Sequence, residues 1–120
     1  MSAKLKRMAR RSPTVELLWW EGCPSWDRAL AMLREEMGAH GLDPDSVEVR
    51  EVRTEADADR AAFVGSPTIR IDGRDVQAPA DEPVGLTCRV YRLRDGRISP
   101  LPDRDDLRET LEQAMDGGTD

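Results

Sequence analysis

A chain of 120 residues, 35% of them charged and 38% hydrophobic, has room for one soluble domain with its own core. Its formal net charge of -6 argues against bulk affinity for nucleic acid, and no apolar run approaches the ~18 residues of a membrane span. The opening "MSAKLKRMARRSP" is basic without the apolar centre of a secretion signal; a cytoplasmic location is expected, where a permanent disulfide between the two cysteines would not persist.

Residues 1–13 are expected to form a flexible basic arm and 117–120 a flexible tail, leaving 14–116 as the domain. Val15 to Trp20 reads as a short buried strand, apolar on both faces apart from Glu16. From Pro24 the period changes to three and four. Trp26, Leu30, Leu33 and Met37 make one apolar stripe of a helix that Pro24 opens and Gly38 and Gly41 close. "SVEVREV" (46–52) reads as a second strand with Val47 and Val49 on its inner face. Thr54 followed by Asp57 resembles a capping box, so a short helix is expected from about 55 to Phe63, stopping at Gly65. In "SPTIRIDGRDV", Ile69 and Ile71 alternate in a third strand, and Asp72-Gly73 turns it into a hairpin ending at Val76. A proline-rich loop follows, then "TCRVYRL", an Asp95-Gly96 turn and "RIS" form an extra hairpin inserted at 78–100. Asp103 caps a last helix whose Leu107, Leu111 and Met115 share a face. The order predicts an α/β fold: a mixed sheet of four or five strands, with a parallel strand–helix–strand unit and helices on both faces.

The chemistry centres on "EGCPSW" (21–26). Cys23 stands at the mouth of a helix, where free N–H groups and the helix dipole favour a thiolate; the neighbouring Glu21 carboxylate opposes it. The competing reading is a buried, inert thiol. With "GSPT" opening a later strand, the chain resembles the thioredoxin-like superfamily over roughly 14–77 and the last helix. It is similar to small members with a GCPSW-type motif and a later "GLTCR"-like stretch, some of which are labelled alkylmercury lyase-like. The resemblance implies a cis bond before Pro67 beside the reactive cysteine. It also implies that Ser66 presents its backbone to an extended thiol ligand or peptide. The insertion at 78–100 departs from the minimal fold, as does Trp26 in place of a second motif cysteine.

Without that second thiol, a small thiol or Cys88 must resolve a mixed disulfide at Cys23. The insertion leaves the sheet on the side of Cys23, so the loop can bring Cys88 within the ~5.5 Å Cα separation a disulfide needs. A small core cysteine is the alternative. Of Trp19 and Trp20, one is expected in the core and the other, taken as Trp20, beside Cys23, Pro24, Ser66 and Pro67 in a substrate groove. For Arg70, Arg74 and Arg89, surface solvation is the default expectation, with carboxylate contacts to such a ligand as the alternative. His40 sits at the far end of the first helix, and no Cys–His cluster has zinc spacing, so neither a metal site nor a cofactor is expected. The expectation is a thiol–disulfide oxidoreductase acting on protein or small-molecule thiols and disulfides, with Cys23 as nucleophile. A soft-metal thiolate site for mercury or copper(I), or a binding module without chemistry, is the alternative. The sequence sets no oligomeric state.

Overall fold

The computed structural model describes residues 12–116. The expected arm at 1–13 lies outside them except for residues 12 and 13, and the tail at 117–120 lies wholly outside.

The fold is α/β, with a mixed four-stranded sheet in the order β2-β1-β3-β4, a separate two-stranded sheet and three α-helices among the described residues. This arrangement is compatible with a thioredoxin-like fold. β1 (Val15–Trp19) lies between β2 (Glu48–Glu51), which runs parallel to it, and β3 (Thr68–Ile71), which runs antiparallel. β4 (Arg74–Asp75) closes the hairpin on β3 through Asp72 and Gly73, both at positive φ (52° and 80°), as a tight two-residue hairpin turn requires.

Successive side chains of a strand point to opposite faces, and β1 supplies both cores. Leu17 joins Ile69 and Ile71 in a cluster with Leu33 and Met37 of α1 (Trp26–Ala39) and Leu107 and Leu111 of α3 (Arg104–Met115). Leu18 points the other way, into a smaller cluster with Val52, Phe63 and Ala58 of α2 (Glu55–Ala61). Helices therefore cover both faces. The caps follow the sequence: Thr54 Oγ1 accepts from the Asp57 N–H at 3.0 Å, and an Asp103 carboxylate oxygen accepts from the Asp105 N–H at 2.9 Å.

Several boundaries move. The first helix begins at Trp26 rather than Pro24, because the Cys23 N–H bonds back to the Trp20 carbonyl at 3.1 Å and Pro24 lies in the turn that follows. α2 stops at Ala61, and Ala62 takes a left-handed conformation (φ 51°) that returns Phe63 to the core. Val47 is buried, but Val49 is 39% exposed, since β2 is an edge strand. The insertion adds no strand to the main sheet: β5 (Tyr91–Arg92) and β6 (Ile98–Ser99) pair only with each other. Among the described residues, no helix is long and apolar enough to cross a membrane.

Candidate functional site

Cys23 leaves β1 through a turn that demands Gly22, since a Cβ there would run into the Trp20 ring. Cys23 sits just ahead of α1 and is buried, at 3% exposure. Ser25 occupies the helix cap position, yet its hydroxyl caps no backbone N–H; its Oγ lies 3.8 Å from Cys23 Sγ, and the side chain is buried. A hydroxyl so placed is available to donate to sulfur when the cysteine carries charge.

Cys23 is joined to Cys88 by a disulfide, with Cα atoms 5.4 Å apart and a sequence separation of 65. The insertion delivers Cys88 by a short parallel bridge to the loop before β3. The Ser66 N–H donates to the Thr87 carbonyl at 2.8 Å, and the Arg89 N–H donates to the Ser66 carbonyl at 2.9 Å. Gly65 permits this approach: its φ is 137°, and a Cβ on it would meet the Arg89 Cα at 2.9 Å. Ser66 is fully buried, its Oγ accepting from the Trp20 N–H at 3.0 Å, and the Ser66–Pro67 peptide is cis. The Tyr91 hydroxyl donates to the Pro67 carbonyl at 2.6 Å.

Arg89 anchors the segment. It is 3% exposed, and its guanidinium donates to Asp75 at 2.8 Å, to the Gln77 carbonyl at 2.6 Å and to Thr68 Oγ1 at 3.3 Å, lying 4.4 Å from the Tyr91 ring centre. Burial is the largest single influence and opposes the charge, but the Asp75 hydrogen bond together with the surrounding Tyr91, Asp75 and Glu82 electrostatics leaves the Arg89 pKa raised. Its Nε is buried without a partner. Burial likewise pushes the Tyr91 hydroxyl far above its ordinary pKa.

The disulfide lies in the wall of an open cavity of about 600 Å³, whose sides include Pro24, Val90 and Ile98. Val90 and Ile98 are 54% and 68% exposed. Arg28 stands on the rim, and no hydrogen-bond or ion-pair acceptor among the described residues holds its guanidinium. A second cavity of about 460 Å³ opens on the other side of Cys88, between Val64 and Val84. Cys88 is itself exposed.

The structure brings together Cys23, Pro24, Cys88 and Ser66, with Pro67 buried beside them. Trp20 touches Cys23 and Ser66 through its backbone, while its half-buried side chain packs with the Leu18 cluster on the α2 face and lines neither cavity. Trp19 stacks on Trp26 at 4.2 Å between ring centres. Of the three arginines, Arg89 is an internal anchor, Arg70 donates to the Ala62 carbonyl and Arg74 to Gln113. Ser25, Arg28, Asp75 and Tyr91 escaped the sequence reading. Tyr91, the chain's single tyrosine three residues after Cys88, was the available signal. Among the described residues, no group of three or more His, Cys, Asp or Glu side chains is placed to hold a metal. Comparisons with protein-family models, with curated proteins and with solved structures find no match to this chain.

Proposed function

We propose that this chain is a thioredoxin-like thiol–disulfide oxidoreductase whose redox centre is the Cys23–Cys88 pair. The carrying observation is the disulfide itself, which joins a buried cysteine at the mouth of α1 to an exposed cysteine on the insertion, in the wall of a cavity. A purely structural bridge needs no access; this one has it on the Cys88 side. A substrate thiolate attacks one sulfur of the pair, the S–S bond breaks, and the other sulfur departs as a thiolate. Attack by a second substrate thiolate on the mixed disulfide releases the oxidised substrate and leaves both cysteines reduced. In the reverse direction Cys23 is the nucleophile that closes the bond. The start of α1 and the Ser25 hydroxyl favour its thiolate. Exchange is preferred to soft-metal binding because the two sulfurs are bonded to each other.

Equilibration of the protein with defined dithiol/disulfide buffers, read by alkylation and mass, tests the reading. The expected midpoint lies between about -270 and -120 mV, the range of exchange-active pairs. A pair that stays closed below about -300 mV is a structural staple, and the oxidoreductase reading is then wrong.

A further inference from the structure

The two sulfurs differ in access, and an attacking thiolate must reach the atom it bonds to. Both cysteines line the first cavity, but Cys23 is only 3% exposed beneath the turn before α1, whereas Cys88 is an exposed residue that lines the second cavity as well. Resting on the exchange reading above, we infer that the external partner is a small anionic thiol that seats in the cavity beside Pro24, Val90 and Ile98 and bonds to Cys88, not to Cys23.

The partner's size follows from what is already filled. An extended peptide would need the Ser66 N–H and carbonyl, and both are held by the chain's own Thr87 and Arg89. The space left open is a cavity of about 600 Å³, within the roughly 300–1,000 Å³ typical of small-molecule sites. Its sides suit an apolar body. The Arg28 guanidinium on the rim, without an acceptor among the described residues, suits a carboxylate or another anion.

The step balances without a further reagent. The thiolate RS⁻ bonds to Cys88 Sγ, the Sγ–Sγ bond breaks, and its electron pair leaves on Cys23. The products are Cys88–S–S–R and a Cys23 thiolate. That thiolate forms just ahead of α1 with the Ser25 hydroxyl 3.8 Å away, so the buried sulfur is the supported leaving group. In reverse, Cys23 attacks Cys88 Sγ and expels RS⁻. Cys88 is thus the sulfur that meets substrate, and Cys23 works only within the chain.

The full chain in its disulfide form is mixed briefly with 3-mercaptopropionate, 2-mercaptoethanol or cysteamine, quenched with acid, alkylated and mapped by mass spectrometry. Adducts on Cys88 with alkylated Cys23 are expected to outnumber the reverse by at least about tenfold, because access decides which sulfur is attacked. Compared per thiolate and divided by each thiol's rate on the guanidinium-unfolded chain, which removes intrinsic nucleophilicity, 3-mercaptopropionate is expected to be favoured roughly two- to fivefold over cysteamine, and Arg28→Gln to abolish that preference, as for an exposed charge pair. Adducts on Cys23, or an even split, overturn the assignment of Cys88 while leaving the exchange reading intact. Equal normalised rates for the anionic and cationic thiols overturn the anionic class. If none of the three opens the bond in the folded protein while all open it in guanidinium, the exchange reading falls, and this inference with it.

Discussion

Tyr91 shows what a single side chain does for this site. Its ring lies beside the Arg89 guanidinium, and its hydroxyl gives the buried Pro67 carbonyl a hydrogen bond at 2.6 Å. Tyr91→Phe keeps the ring and orphans that carbonyl, so a loss of about 1–3 kcal/mol is expected in guanidinium unfolding. A loss below about 0.5 kcal/mol would mean that water replaces the hydroxyl there. Legibility at this scale was uneven. A disulfide between Cys23 and Cys88 was in reach of the sequence because both flank one end of the sheet. Arg89 was not, for it reads as one more surface charge among 18 Lys and Arg, and its partner Asp75 lies 14 residues away on β4. Only tertiary packing turns such a residue into a buried anchor.

Between elements, the contact of α1 with α3 is mostly apolar, with a charged seam along its edge. Arg104 and Arg108 reach Glu36 at 2.9 and 3.4 Å, and His40, the cap of α1, meets Glu112 of α3 at 3.1 Å. Burial works against the Glu36 carboxylate, but the two arginine hydrogen bonds outweigh it and hold its pKa down; that contribution is lost only as pH falls through the lowered value. His40 behaves oppositely. The Glu36 carbonyl at its Nδ1 raises its pKa above the ordinary 6.5 against the opposing effect of burial, and Glu112 adds to the rise. The stabilisation is complete below about pH 6.5 and is lost as pH rises through the raised value. Unfolding free energy is therefore expected to fall by about 0.5–1 kcal/mol between roughly pH 6 and pH 9 in a part that His40→Gln removes. An unchanged pH profile in His40→Gln would refute it. The elements themselves were largely legible, because alternation at Leu17 and Leu18, the Asp72-Gly73 turn and the Thr54 and Asp103 caps are local signals. Val49 misled because strand periodicity does not reveal which strand becomes an edge.

For the whole molecule, the disulfide ties a loop of 65 residues across the sheet, worth about 4 kcal/mol if its effect is loop closure in the unfolded chain. The two core clusters contain neither cysteine. Cys88→Ser is therefore expected to stay folded and to lose about 2–4 kcal/mol against the oxidised protein in guanidinium titration; an unfolded variant would show the bridge to be essential. The Arg89 anchor, one residue from Cys88, matters most once the bond is open. Asp75, Gln77 and Thr68 still hold the segment, so the Cys88 sulfur stays near Cys23 at a high effective concentration instead of wandering with its loop. Under the proposed exchange, reclosure would then outrun a second external thiol, and mixed disulfides would be short-lived. Arg89→Met is expected to lower that effective concentration about tenfold, which moves the midpoint up by about 30 mV and lengthens the life of the Cys88 adduct in proportion. If the proposed exchange holds, the anchor acts as a timer that decides how long a captured thiol remains on the protein.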